Sequence, residues 1–387
     1  MHVLVIPRGL YDVPTLPNQG VFESHQVAAL RAAGHRLGVL SGGVITTRFV
    51  GRRFPYHRKE LLDDVPVYRA YRRAYLPARW EDPRDAAAKT YGRIRPMLED
   101  YIEKFGRPDV VHAHNLTSGG LLAKHVHDET GIPYVVTEHT STYAAEADAA
   151  QRDAKVLALG ASGARAIIAV GSHLAASLQR AIGPHIPVLV IPNVVDSQLL
   201  ACPLGKPQGA FTVGGLGYLL PRKNYALLIE AFARADLPAG ARLVIGGDGP
   251  ELGRLSRLAR SLECQDRVNL PGHLNREQIV ELLREVDLFA HPSDSESFGV
   301  VLIEAMAVGV PVLATACNGP LDIVTPEVGR LTPVGDVTAF ADALSKMYQN
   351  RSQFDPGEIR EYCRLHYGAE AFATRMLNVY QNAVLGP

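Results

Sequence analysis

The chain has 387 residues, too many for one ordinary hydrophobic core and well suited to two α/β domains. Its 40 basic and 40 acidic side chains cancel, which argues against a general nucleic-acid binder, because such binding rests on excess positive charge. The four cysteines (Cys202, Cys264, Cys317, Cys363) lack metal-type or redox-type spacing. The apolar run at the N-terminus is too short for a signal peptide, and no uncharged apolar span reaches membrane length. The expectation is a reduced, soluble, cytoplasmic protein.

Short apolar runs alternate with helical patterns, as a parallel sheet flanked by helices requires. "HVLVIP" predicts a buried strand, and "VFESHQVAALRAAG" a helix closed by Gly34 at its C′ position. Strands follow in "HRLGVL", "DVVHAH" from Asp109, "PYVVTEH" from Pro133, "AIIAVG" from Ala166 and "VLVIPN" from Val188. Periodicity lapses in "VVDSQLLACPLGKPQGA", where Pro203, Gly205, Pro207 and Gly209 cluster, and a linker is read there. The alternation restarts with "FTVGGLG", a helix from Asn224, "ARLVIGGDG", a helix from Glu251, "RVNLPG", a helix from Asn275, "DLFAHPS" and "PVLATA". From Pro356 to about Ala383 the pattern is helical. The prediction is two Rossmann-like, doubly wound α/β domains, residues 1–200 and 201–365, with 366–387 packing back on the first. Open α/β sheets bind ligands outside the carboxyl ends of their strands, so the active site is expected in the cleft between them.

The segment "SESFGVVLIEAMAVGVP", from Ser295, carries the chemistry. It reads as a loop leaving a strand end, followed by a helix. The first amides of that helix (Phe298, Gly299, Val300) and its dipole favour an anion, most simply a diphosphate. Gly299 removes the side chain that would hold a phosphate away from the backbone. Glu304, deeper in an apolar helix, is repelled by phosphate but suits a vicinal diol such as a ribose. A carboxylate buried there without a partner would be costly. Glu296, on the other side, reaches hydroxyls of whatever hangs from the diphosphate. The pattern is that of a nucleotide-sugar clamp.

"HPSDSESFGVVLIEAMAVGVPVLATACNGPLDIV" resembles the donor-site signature of the family-four retaining glycosyltransferases of GT-B fold. "PNQGVFESHQVAALRAAGH", "PDVVHAHN", "IPYVVTEHTSTY", "VIPNVVD" and "LVIGGDGPEL" resemble further parts of that family, in the family's order. The resemblance implies that Glu304 holds the ribose, Phe298 to Val300 meet the phosphates and Glu296 contacts the donor sugar. It places the nucleobase near His273 and Leu274, His139 at the sugar, and Gly20 against phosphate or sugar. Family members also neutralise the leaving diphosphate with an arginine and a lysine. Here Arg222 and Lys223 are adjacent in "VGGLGYLLPRKN", and Gly215 stands where an arginine often follows the first glycine. No metal is implied: His112 and His114 alternate as any strand residues do and lack a third ligand, and Asp294 with Glu296 are not needed as ligands.

The mechanism implied is transfer with retention, in which the acceptor hydroxyl enters on the leaving-group face and gives its proton to the departing phosphate oxygen. No cofactor is expected beyond a nucleotide-sugar co-substrate, by default a UDP-hexose carrying glucose or N-acetylglucosamine. Acidic residues near the expected acceptor cleft (Asp12, Glu23, Glu138, Glu146, Asp148) suit a small, polar, amine-bearing acceptor. The chain is in this respect somewhat similar to the aminocyclitol glycosyltransferases of aminoglycoside antibiotic biosynthesis. The basic region 48–95, with several tyrosines and Trp80, offers the alternative of docking on an anionic membrane to reach a lipid-linked acceptor. A nucleotide-sugar epimerase and a non-catalytic nucleotide-sugar binder are the further alternatives.

Overall fold

The computed structural model describes residues 1–11, 21–46, 57–74, 82–145, 148–205 and 209–386. The chain divides into two compact units, Met1–Val194 with Ala369–Pro387, and Val195–Gly368. The crossings thus fall after Val194 and after Gly368, compared with the expected 200 and 365.

In the first unit the elements are β1 (His2–Ile6), α1 (Val21–Ala32), β2 (Arg36–Thr46), β3 (His57–Leu62), β4 (Val65–Ala74), α2 (Pro83–Phe105), β5 (Val110–His114), α3 (Leu121–Thr130) and β6 (Tyr134–Glu138). Three short helices follow, α4 (Ser141–Ala145), α5 (Ala149–Arg152) and α6 (Ala154–Ala161), then β7 (Ala166–Ala169), α7 (Ser172–Ile182) and β8 (Val188–Val190). The sheet order is β3-β4-β2-β1-β5-β6-β7-β8, parallel except for the antiparallel β3–β4 pair at one edge. β1, β5, β6 and β7 are buried along their whole lengths, which explains why they read as continuous apolar runs rather than alternating ones.

The β3–β4 hairpin and the first half of the 23-residue α2 lie in the basic region 48–95. Several of those charges are internally paired: Arg58 and Arg69 with Glu60, Lys59 with Asp100, and Arg95 with Glu129. Tyr68 and Tyr71 point inward and are buried. Trp80 and Gly20 lie outside the described residues.

The second unit runs α8 (Ser197–Ala201), β9 (Thr212–Leu216), α9 (Tyr225–Arg234), β10 (Arg242–Gly246), α10 (Leu252–Ser261), β11 (Val268–Gly272), α11 (Arg276–Glu285), β12 (Leu288–His291) and α12 (Val300–Ala307). It ends with β13 (Val312–Thr315), α13 (Gly319–Ile323), β14 (Gly329–Thr332), α14 (Val337–Gln349) and α15 (Pro356–Tyr367). All six strands are parallel, in the order β11-β10-β9-β12-β13-β14. Counted within the unit this is 3-2-1-4-5-6, the doubly wound order with a switch point between its first and fourth strands.

The helix expected from Pro356 to Ala383 is two helices. Gly368 takes extended backbone, and a side chain there would collide with the Arg364 carbonyl oxygen, so α15 stops and α16 (Ala369–Leu385) starts afresh. α16 belongs to the first unit, where Phe372, Met376 and Tyr380 share one buried cluster with Val27 and Leu30 of α1. Among the described residues no helix is long and apolar enough to cross a membrane.

Tyr380 makes the return of α16 testable. Its hydroxyl lies 2.7 Å from Nδ1 of the fully buried His112. Replacing it (Tyr380→Phe) leaves the imidazole without that partner and should cost about 1–3 kcal/mol of stability in urea denaturation. An unchanged midpoint would mean that this contact contributes nothing.

Candidate active site

The switch point of the second unit lies between β9 and β12, and the loops leaving their carboxyl ends are bound to each other. The connection after β9 closes in a 3-10 turn, Pro221–Lys223, with Asn224 in the left-handed conformation capping α9 through the Leu227 amide. The Arg222 carbonyl accepts from the Asp294 amide at 2.8 Å and the Ser293 hydroxyl at 3.1 Å, and Asn224 Nδ2 donates to Asp294 Oδ1 at 2.8 Å. The neighbouring loop after β10 presses against the same connection: a side chain on Gly247 would run into the Gly217 carbonyl, and Gly247 has φ of +134°. Gly215 has more room: a Cβ there would stand 3.1 Å from the Tyr225 ring, which would have to give by a few tenths of an ångström.

This lacing brings Lys223 onto Glu296. Its ammonium pairs with Glu296 Oε1, and His291 Nε2, at the end of β12, stands 3.3 Å from the same oxygen. Lys223 and Glu296 side chains are only 15% and 9% exposed. Burial, with the Arg222 charge adding to it, draws the Lys223 ammonium down to about 7. Burial, then the charges of Lys223 and Arg222, push the His291 imidazole well below its usual value, so it is neutral. Arg222 itself is exposed, its guanidinium 3.4 Å from the Ser295 carbonyl oxygen.

α12 starts beside this pair. Gly299, at φ +103°, turns the chain into the helix, so the first amides of α12 head toward the strand ends. Phe298 is buried with its ring edge-on to Tyr367 at 5.9 Å, so it offers backbone rather than side chain. Glu304 is buried one turn further in. It is not the lone carboxylate that its apolar neighbours suggest: Arg276 Nη1 donates to Glu304 Oε1 at 3.0 Å, and Arg276 Nη2 pairs with Asp196. Burial still raises the Glu304 carboxyl above its ordinary range, with Arg276 pulling the other way. His273 and Leu274 lie just beyond β11, His273 exposed and Leu274 half-buried.

Of the residues singled out from sequence, Arg222, Lys223, Glu296, Phe298, Gly299 and Val300 therefore meet on two adjacent connections, with Glu304 a turn behind. Gly20 falls outside the described residues, and His139 belongs to the other unit. Sequence reasoning missed Arg276, Asp196 and His291. Arg276 carried a signal, being a cation in the first turn of a helix, where the dipole disfavours it unless an anion is near.

In the first unit, His139 follows β6 and its Nε2 lies 3.0 Å from His114 Nδ1, the two rings stacked at 5.3 Å. His112 sits beside them and bonds Thr137 Oγ1 at 2.8 Å. Burial pushes His112 and His139 down to about 3 and His114 well below its usual value. Glu138 corrects an expectation. It is fully buried and accepts from the amides of Leu116, His139 and Thr140, from Asn115 Nδ2 and from the Thr140 hydroxyl, which leaves it unavailable to an acceptor. Asn115, at φ +64°, opens a π-helical turn, Asn115–Gly120, that this carboxylate holds in place. Glu23 is buried on α1, and its Oε2 has no partner among the described residues; Asp148 is exposed. Asp12 and Glu146 fall outside the described residues. Among the described residues no group of three or more His, Cys, Asp or Glu could hold a metal ion.

Two α/β units, each built on a largely parallel sheet with helices between its strands, are the layout of the GT-B fold. Comparison with known proteins narrows this. Residues 24–199 match the family described as Glycosyltransferase Family 4, and residues 201–364 the family described as Glycosyl transferases group 1. The D-inositol 3-phosphate glycosyltransferase of Salinispora arenicola is 31% identical over 72% of this chain and 70% of its own length. The chain belongs to the family-four, group 1 glycosyltransferases. The enzyme of the same name from Mycolicibacterium smegmatis is 32% identical, over 68% of this chain but 64% of the relative. The N-acetyl-alpha-D-glucosaminyl L-malate synthase of Bacillus anthracis is 32% identical over 41% of this chain and 42% of the relative. Among solved structures, sucrose-phosphate synthase from Thermosynechococcus elongatus superposes with a TM-score of 0.77 at 21% identity, covering 99% of each chain. Anabaena HepE in complex with UDP-glucose gives 0.72 at 19% identity, covering 99% of this chain and 100% of that one.

The buried histidines carry a pH dependence. A histidine whose folded value lies below 6.5 takes up a proton on unfolding once the pH is under that value. Stability present near neutrality is therefore lost as pH falls from about 6.5, by about 1.4 kcal/mol per pH unit for each such histidine. His112 and His114, both fully buried, should make the first unit markedly less resistant to urea near pH 5 than near pH 7 (roughly two protons on this account). A denaturation midpoint that stays flat across that interval would contradict the assignment.

Proposed function

We propose that the protein is a retaining glycosyltransferase that moves a hexose, glucose or N-acetylglucosamine, from a UDP-sugar to a hydroxyl of a small polar acceptor. The observation that carries the reading is the convergence of Arg222, Lys223, Glu296 and the head of α12 at the switch point of the second unit. Lys223 and Arg222 would take the diphosphate, with the first α12 amides beside them. Glu304 would take the ribose diol, Glu296 and His139 the donor sugar, Gly20 a phosphate or sugar oxygen, and the loop at His273 and Leu274 the base. UDP is the default because a structural relative binds UDP-glucose.

The protein's share of the chemistry is positioning and charge. As the anomeric carbon–oxygen bond breaks, negative charge grows on the departing phosphate oxygen. The acceptor hydroxyl, on that same face, bonds to the carbon and passes its proton to that oxygen. Arg222, Lys223 and the helix head stabilise the developing charge. Lys223 is poised for this: in the free protein Glu296 holds it, and a diphosphate in its place would raise its proton affinity.

Relatives named for inositol 3-phosphate and for L-malate support a small polar acceptor. An amine on that acceptor, as in an aminocyclitol of antibiotic biosynthesis, needs a carboxylate. Glu23, with one oxygen that has no partner among the described residues, and the exposed Asp148 are the candidates, Glu138 being held by its own loop.

Three measurements test this. A mass-spectrometric screen of nucleotide sugars against polyols, hydroxy acids and aminocyclitols should find acceptor-dependent UDP release and a product of retained anomeric configuration, in the presence of chelator and without lipid. Sugar conversion without acceptor would make the protein an epimerase, and strong stimulation by anionic vesicles would favour a lipid-linked acceptor. Replacing Glu304 (Glu304→Gln) should weaken UDP binding by about 1.5–3 kcal/mol, with unchanged affinity excluding the ribose role. Calorimetry of UDP binding in buffers of different ionisation enthalpy, a little above neutral pH, should show net proton uptake that disappears in Lys223→Ala. Proton release, or uptake that survives the substitution, would refute the assigned role of Lys223.

A further inference from the structure

Arg276 has no role in the reading above, yet it touches the residue that reading assigns to the ribose. It occupies the first position of α11, which a reciprocal capping box between Asn275 and Gln278 fixes. A cation there does nothing for α11, because the dipole at a helix start favours anions. Its guanidinium instead bridges two carboxylates from other elements. Nη1 reaches Glu304 Oε1 on α12 at 3.0 Å, and Nη2 pairs with Asp196 Oδ2 at the head of α8. The other Asp196 oxygen, Oδ1, is held by the Gln198 amide at 2.9 Å, so Asp196 cannot swing without uncapping α8. The Glu304 and Asp196 side chains are 11% and 10% exposed, while Arg276 remains 35% exposed. Among the described residues no protein group takes Glu304 Oε2, which leaves one oxygen for a ligand.

We propose that Arg276 is a positioning residue for nucleotide recognition: braced by Asp196, it aims the Glu304 carboxylate so that its second oxygen receives the ribose diol. This rests on the reading that Glu304 holds the ribose, and adds to it the group that makes a buried glutamate competent there. The planar fork suits the task, since it fixes direction as well as charge where a lysine would supply charge alone.

The electrostatics agree with the geometry. Burial raises the Glu304 carboxyl, and Arg276 is the group that opposes it. Asp196, the other charge acting on it, pushes it upward. From α15, Cys363 and Arg360 bond the backbone carbonyls of Ile303 and Ala307 rather than the carboxylate. From β12, His291 is buried and neutral, and Asp322 of α13 is exposed. Without the guanidinium Glu304 therefore rises further. The variant would lose ribose affinity as pH falls and regain it as pH rises, while the native protein changes less over the same interval.

The test is calorimetric titration of UDP and of 2′,3′-dideoxyuridine diphosphate into the native protein, Arg276→Gln and Arg276→Lys, at about pH 6 and about pH 8. Arg276→Gln should bind UDP roughly tenfold more weakly at the lower pH, with part of the loss recovered at the higher pH and part recovered in Arg276→Lys. The dideoxy compound, which offers Glu304 no diol, should bind the native and variant proteins alike. Equal losses for both nucleotides would make Arg276 a structural brace, and no loss for either would make it irrelevant; each outcome overturns the proposal while leaving the donor reading intact. Native protein that binds UDP no better than Glu304→Gln sinks the donor reading itself, and this inference with it. Should Arg276→Gln fail to fold, the same comparison between the two nucleotides is made on Arg276→Lys, where an equal effect on both again overturns the proposal.

Discussion

A carboxylate removed from water needs a cation or a set of donors, and the second unit is arranged around two such carboxylates. Glu296 and Glu304 lie eight positions apart in a segment that is mostly apolar and largely buried. Each is met by a cation from a different connection, Lys223 for the first and Arg276 for the second. Breaking such a pair by removing the cation would leave an uncompensated buried charge, which costs more than the pair itself contributes. The ion pairs thus fix the connections after β9 and β11 relative to α12.

The first unit solves the same problem without a cation. Glu138 is satisfied by backbone amides at the strand ends and by Asn115 and Thr140, so its charge is spread over local dipoles. The difference bears on use. A carboxylate held by several backbone donors is rigid and committed, whereas Glu296 is held by side chains alone, the Lys223 ammonium with His291 beside it. Glu138 shapes a loop, and Glu296 ties two connections together through side chains.

The sequence was informative where local pattern and tertiary need coincide. The buried strands β1, β5, β6 and β7 read as strands because both faces are covered, and the helix heads at Asn224 and Asn275 announced themselves through their capping residues. The segment from Ser295 to Pro311 stood out because carboxylates are rare in such apolar company. What stayed hidden depends on distance in sequence. The partner of Glu304 comes from 28 positions away and that of Glu296 from 73, and no periodicity encodes either. Strand β14, GRLT, sets one leucine among a glycine, an arginine and a threonine and so shows no apolar run, unlike the equally short β7, β12 and β13. The break at Gly368 was lost because helical spacing continues on both sides of it. In the basic region, inward-packing tyrosines were one of two readings the composition allowed, whereas the burial of Arg69 against Glu60 was not visible, because composition registers charge and not pairing.

The route of the chain has a consequence for how the protein comes to be folded. The second unit is one uninterrupted stretch, so every residue of its core is available as soon as that stretch has been synthesised. The first unit is not: the apolar faces of α1 and the neighbouring strands are completed by α16, which is made only after all of the second unit. Until then Val27, Leu30 and the edge of His112 lack the Phe372, Met376 and Tyr380 side chains that cover them. A nascent chain therefore carries a finished second unit beside an open first one, and the interval between the two is when it is most exposed to chaperones, proteases and its own neighbours.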